Sequence, residues 1–193
     1  MKKLLITGFD PFGGESVNPS RRAVERLPDR IGDFQLIKLQ IPTVFSLAAE
    51  QVVQCAREHQ ADAILCVGQA GGRAAVTPEL VAINLRHASI CDNAGNQPQD
   101  EPIAEGAPKA YFSTLPVRKM AQAIEASGTP ARVSYSAGTF VCNDVLYTVL
   151  HRLPQIPAAF IHVPYLPEQA KQNEPSMPLQ QITQALQTAI EAI

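Results

Sequence analysis

Short apolar runs alternate along this chain with stretches whose apolar residues recur every three or four positions. The first kind of pattern reads as buried strand and the second as helix packed on one face. Leu4 to Phe9 is the first strand. Asn18 then stands where a helix N-cap belongs and Pro19 where proline fits best, so a helix opens there and ends before Pro28. Leu36 to Ile41 alternates as a strand, and Val44 to His59 carries Leu47, Ala48, Val52 and Cys55 at helical spacing. Ala63 to Val67 is the next buried strand, Val81 to Leu85 another, and the Pro/Asn/Gly-rich Asp92 to Pro108 predicts little regular structure. Leu115 to Ala126 reads as helix, Arg132 to Ser136 as strand, Asn143 to His151 as helix, Ala159 to Val163 as strand and Leu179 to Ala192 as the terminal helix. Such alternation predicts an α/β fold with a largely parallel, twisted sheet, in one domain spanning residues 1–193.

Composition agrees with one core: 193 residues with 46% hydrophobic and 18% charged content suffice for a single domain and hardly for two. Cys55, Cys66, Cys91 and Cys142 form no CxxC pair, so neither a disulfide framework nor a zinc site is indicated, and they read as reduced thiols of a cytoplasmic protein. Met1-Lys2-Lys3 leads into an apolar run too short for a signal peptide or a membrane span. A net charge of −2 without a basic stripe gives nucleic acid no footing.

The candidate chemistry starts at Cys142. In Ser136-Ala137-Gly138-Thr139-Phe140-Val141-Cys142-Asn143 a strand-like segment breaks on glycine and resumes as helix, which sets a thiol at a helix N-terminus. Free N–H groups and the helix dipole there favour thiolate, the nucleophilic form. Cysteine is also a common core residue, and His162, on an apolar strand, has an equally plain reading as a buried, hydrogen-bonded histidine. Four polar or glycine-rich segments follow buried strands: Gly8 to Gly14, Gly68 to Arg73, Gly138 to Cys142 and His162 to Glu168. Ligands of open α/β sheets bind outside the carboxyl ends of strands, so these segments are expected to share a cleft. Neither glycine loop has dinucleotide or P-loop spacing; tight turns are their plain alternative, as core aromatics are for Phe9 and Phe12.

These residues carry a resemblance. Thr7 to Gly14 followed by Asn18-Pro19-Ser20, then Val67 to Arg73, Thr77-Pro78-Glu79, Asp92 to Asn96, Ser136 to Asn143 and Phe160 to Pro164 resemble pyroglutamyl peptidase type I in the family's order and across almost the whole chain. The resemblance implies a cysteine peptidase that removes N-terminal 5-oxoproline without metal or cofactor. It also implies a single three-layer α/β/α domain of the phosphorylase/hydrolase-like kind, and a homotetramer. It assigns the nucleophile to Cys142, the base and acid to His162 and the third triad member to Glu79, which alone would read as a solvated loop carboxylate.

A pyroglutamyl N-terminus carries no ammonium, so its pocket needs apolar walls and neutral hydrogen-bond partners. Phe9, Phe12 and Phe140 suit the walls, and the resemblance adds Asn18, Thr43, Gln69, Ile90 and Val141, with the Gln69 side chain best able to both donate to and accept from a lactam. The chain departs from the family pattern at Leu80 and Ser89, where arginines are usual, and at Cys91, where proline is. A binding module without turnover and a nucleoside phosphorylase are the competing classes.

Overall fold

A computed structural model describes residues 1–193. The elements run β1 (Lys2–Phe9), α1 (Pro19–Arg26), β2 (Arg30–Ile31), β3 (Phe34–Ile41), α2 (Leu47–His59), β4 (Ala63–Gln69), β5 (Thr77–Glu79), β6 (Val81–Ile83), β7 (Ala110–Phe112), α3 (Val117–Ala126), α4 (Val141–Arg152), β8 (Ala158–Val163) and α5 (Leu179–Glu191). Six strands form one sheet in the order β2-β3-β1-β4-β8-β5, while β6 and β7 make a separate hairpin. The β3, β1, β4 and β8 strands are parallel to one another; β2 and β5 are antiparallel edges.

Side-chain alternation splits the core in two. Leu4, Ile6, Leu65, Val67 and Ile161 face α1, α3 and α5, whereas Leu5, Ile64, Cys66 and Phe160 face α2 and α4. Each fully buried Leu, Ile or Phe contributes about 1.5–3 kcal/mol of transfer free energy, so both faces are needed to hold the sheet. The α1 crossover lies on one face and α2 on the other, so the strand order reverses between β1 and β4. Their carboxyl ends mark the topological switch point where this kind of sheet binds ligands.

The α1 start is as expected: the Asn18 side chain accepts the Ser20 N–H at 3.1 Å, with proline at the first helical positions. By contrast α2 starts at Leu47, three residues later than the pattern predicts. The N–H groups of Phe45 and Ser46 are taken by the Asp92 and Asp144 carboxylates, which hold both residues out of the helix. Residues 84–109 contain no helix or strand but are pinned, with Asp92 accepting from the backbone of Phe45, Ala94 and Asn96.

Arg132 to Ser136 is not a strand. It runs beside β5 through isolated bridges, Val76 with Ala131 and Glu79 with Ser134. Arg132 and Ser134 donate to the Val76 and Pro78 carbonyls, but Pro78 has no N–H to return, and the ladder lapses there.

Candidate active site

Register brings the predicted residues together. In β8, His162 pairs with Gly68 of β4 on one side and Thr77 of β5 on the other, and Glu79 pairs with Phe160. Residues two apart on a strand share a face, so Glu79, Thr77, Phe160 and His162 project toward α4. The turn before α4 passes through Gly138 at φ 80°, a conformation that favours glycine, and Cys142 follows in the helix's first turn. A Cβ on Gly68 would lie 2.7 Å from the Phe160 ring and 3.0 Å from Cys142 Sγ. Glycine is therefore what lets the thiol reach the strand position beside His162. Phe140, the N-cap of α4, has no side-chain acceptor and leaves the first-turn N–H groups uncapped.

His162 Nδ1 lies 2.7 Å from Glu79 Oε1, and both side chains are buried. The contact puts the imidazole proton on Nδ1, donated to the carboxylate, and leaves Nε2 as the free acceptor. Glu79 Oε1 also accepts from the Arg73 guanidinium at 2.7 Å, and the same guanidinium nitrogen donates to Thr77 Oγ1 at 2.6 Å. Burial pushes Glu79 up, yet its bond to His162, the histidine's charge and the Arg73 bond hold the carboxyl below its ordinary range. Burial lowers His162, opposed by Glu79 and aided by the charge of Arg73, so the resting imidazole is neutral.

Burial works against the thiolate expected at Cys142. Burial, together with the Glu79 charge, pushes the thiol up to about 12 against the pull of Arg73. Desolvation and the Glu79 carboxylate thus work against the thiolate that the helix start favours. A thiol beside a neutral imidazole needs a base as it reacts. Of the other cysteines Cys66 is buried, Cys55 half-buried and Cys91 exposed.

The pocket residues divide. Phe12 and Phe140 meet tilted by 35°, at 6.0 Å between ring centroids, with Phe45 edge-on to Phe140 at 5.2 Å. Ile90 is exposed, its Cδ1 near the Gly13 position. Phe9 is a core residue packed on Phe160, and the Val141 side chain is also sealed in the core, so Val141 can meet a ligand only through its backbone. Asn18 donates to the Asp10 carbonyl and Thr43 to the Asp10 carboxylate, which fixes the loop after β1.

Gln69 differs from expectation. Its side chain sits on the sheet face opposite Gly68 and Cys142, and its Oε1 is taken by Gln169 Nε2 at 2.9 Å. What Gln69 can offer as both donor and acceptor is its backbone. The next residue, Ala70, donates to Val163, so the Gln69 N–H and C=O point the other way, past the last β1 pair at Gly8 and Val67. The cavity of about 370 Å³ between Ser46, Arg86 and Gln97 is lined by none of Cys142, His162 and Glu79.

The role of Arg73 is not evident from its glycine-rich turn; its one local signal is a cation six positions before Glu79. Gln169 gave no signal at all.

A thiol at a helix start and a buried carboxylate–histidine pair on the facing strands define a thiol hydrolase of α/β/α architecture. The pyroglutamyl peptidase family model matches residues 2–193, and the chain belongs to that family. It is 52% identical to the pyrrolidone-carboxylate peptidase of Levilactobacillus brevis, over 99% of this chain and 97% of that protein. The Enterococcus faecalis pyrrolidone-carboxylate peptidase is 50% identical over 98% of this chain and 92% of its own length. The crystal structure of Bacillus amyloliquefaciens pyroglutamyl peptidase I superposes with a TM-score of 0.94 at 49% identity, covering 100% of this chain and 96% of that one. The pyrrolidone carboxyl peptidase of Thermococcus litoralis gives 0.95 at 37% identity, over 100% and 93%.

Proposed function

We propose that this protein hydrolyses the amide bond after an N-terminal pyroglutamate, with Cys142 as nucleophile, His162 as base and acid, and Glu79 as the group that orients it. The observation that carries the reading is the Glu79–His162 bond, which leaves Nε2 free on the face where Gly68 admits the thiol. The thiol proton passes to Nε2 as Sγ attacks the scissile carbonyl, and uncapped N–H groups at the start of α4 stabilise the oxyanion. Collapse breaks the C–N bond, His162 protonates the departing amine, and a thioester remains. Water then attacks it, giving a proton to His162, which returns it to sulfur as 5-oxoproline leaves.

The Gln69 backbone supports the choice of substrate. A lactam presents N–H and C=O side by side, and the end of β4 offers the matching C=O and N–H. Phe12 and Phe140 supply apolar walls, and a charged N-terminus would be buried there without a partner at a cost of several kcal/mol. The test is release of a chromophore from pyroglutamyl, prolyl and glutamyl amides. Turnover confined to the pyroglutamyl amide is expected; comparable rates on the prolyl amide would refute the reading.

No helix is long and apolar enough to cross a membrane. A cytoplasmic homotetramer is the finer proposal, and the exposed Phe112 and Tyr135 are apolar surface that such an assembly would cover. Light scattering on the purified protein measures the assembly.

A further inference from the structure

One buried amide joins three segments that converge on the site, and the chemistry above gives it no part. Gln169 lies in the loop after β8 and is 9% exposed. Its Nε2 donates to Gln69 Oε1 at 2.9 Å and to the Val17 carbonyl at 3.2 Å, while its Oε1 accepts the Leu166 N–H at 3.1 Å. Both N–H groups are therefore used, each on a different segment. Gln69 ends β4, Val17 precedes the Asn18 cap of α1, and Leu166 belongs to the loop that continues from His162.

The bond to Gln69 matters because of where it leaves the backbone. Beyond Gly8 no β1 residue is in register with β4, so Gly68 and Gln69 project past their neighbour on that side. On the other side β8 holds it, through the Gly68–His162 and Gln69–Val163 pairs, and a strand end paired on one side only is freer to shift than one paired on both. Gln169 adds a hold through the side chain, from the sheet face opposite the thiol, and none of its three bonds uses the Gln69 N–H or C=O. The same amide fixes the Asn18 side of the pocket through Val17.

We infer that Gln169 is a specificity-determining positioning residue: it sets the end of β4 so that the Gln69 backbone can pair with the lactam ring. The inference rests on the substrate reading above. It acts on recognition of the ring and not on the thiol, since none of its three bonds involves Glu79, His162 or Cys142. Two variants separate shape from hydrogen bonding. Gln169→Met keeps the volume and loses all three bonds; Gln169→Glu keeps the acceptor but as a carboxylate has no N–H for Gln69 or Val17.

Steady-state kinetics on a pyroglutamyl amide should show KM raised on the order of tenfold or more in both variants, with kcat within about threefold. In the Gln69→Leu background, Gln169→Met should raise KM by less than it does alone, because the bond the two residues share is already gone while those to Val17 and Leu166 remain to be lost. Calorimetric titration of free 5-oxoproline into Cys142→Ala protein, with and without Gln169→Met, reads ring binding apart from turnover and should weaken by the same factor. An unchanged KM and unchanged 5-oxoproline affinity, a lowered melting temperature as the only effect, or full additivity with Gln69→Leu would each overturn the inference. Failure of the unsubstituted protein to cleave the amide or to bind 5-oxoproline would instead strike the substrate reading.

Discussion

Two buried carboxylates, each bonded to an arginine at 2.7 Å, occupy different parts of this molecule and behave in opposite ways. Glu79, on the edge strand β5, is held below its ordinary range, whereas Asp144, in the first turn of α4, is raised above it. Burial pushes both up. At Glu79 the bond and charge of His162 join Arg73 in overcoming it; at Asp144 the charge of Arg86 and the Ser46 N–H do not suffice, with Glu50 adding repulsion. Asp144 ties residues 84–109, through Arg86, and the start of α2, through Ser46, to the helix that bears Cys142. An arginine–carboxylate pair is thus common to both regions, and the second, titratable partner is what turns one of them into machinery.

Exchanging each carboxylate for its amide should separate the two roles most sharply. Glu79→Gln removes the charge that fixes the His162 tautomer and should lower kcat on the order of 10³–10⁴-fold, with the fold retained. Asp144→Asn should leave kcat within about tenfold but destabilise the protein by roughly 2–3 kcal/mol, somewhat less than a fully buried pair because Arg86 keeps some solvent contact. The pH dependence of stability carries the sign. The ionised Glu79 contributes stability above its ordinary value of 4.5 that is lost as pH falls through its lower folded value, so the deficit of Glu79→Gln should shrink in acid. Asp144 binds its proton more firmly when folded, so its contribution is present below 3.8 and lost as pH rises through the folded value. The deficit of Asp144→Asn should therefore grow in acid. Denaturant melts of both variants from pH 3 to 7 would check the crossing (roughly the range over which the two carboxyls change state); parallel curves would show that the two sites do not differ as described.

A smaller effect is expected at Arg73, which sharpens the comparison from the cation's side. Its charge lowers His162 and its guanidinium shares Oε1 of Glu79 with the imidazole. In Arg73→Gln, Glu79 holds the imidazole proton more firmly, so the acid limb of kcat/KM should move to higher pH, with smaller losses on the alkaline side. Arg73 also lowers the Cys142 thiol, so some loss should persist at the plateau. An acid limb that stays in place would show that Arg73 serves only the turn.

Most of the fold was legible because local signals and tertiary environment agree. The apolar runs at residues 4–9 and 63–67 are central strands buried on both faces, and the Asn18-Pro19 start of α1 needs no tertiary help. Illegible parts are those that other segments impose. The carboxylates of Asp92 and Asp144 delay α2, and Pro78 interrupts pairing with Arg132 to Ser136. Within the site, Cys142 was visible from the strand–turn–helix pattern. Glu79 alone read as a solvated loop carboxylate, because nothing local reveals that a three-residue strand buries it against β8. The Gln69 side chain was misplaced for a related reason: period-two alternation sends it to the opposite face from Gly68, a consequence that becomes plain only once β4 is known to extend to residue 69.

The departures from the family pattern offer the smallest expected effect, and the two are not equivalent. Leu80 packs against the core on the α1, α3 and α5 side, so an arginine there would forfeit burial and test little. Ser89 is exposed and lies two residues after His87, which exchanges hydrogen bonds with Thr139 in the turn leading to Cys142. A guanidinium at position 89 thus enters from the loop that borders the uncapped start of α4, the region proposed to hold the oxyanion. One charge-assisted hydrogen bond formed in the transition state would raise kcat/KM roughly tenfold in Ser89→Arg, or about 1.5 kcal/mol. The gain should appear in kcat rather than KM, since the ring is held elsewhere, by Phe12, Phe140 and the Gln69 backbone. A change confined to KM, or a loss of activity, would mean that the loop around Ser89 is shaped to work without the arginine.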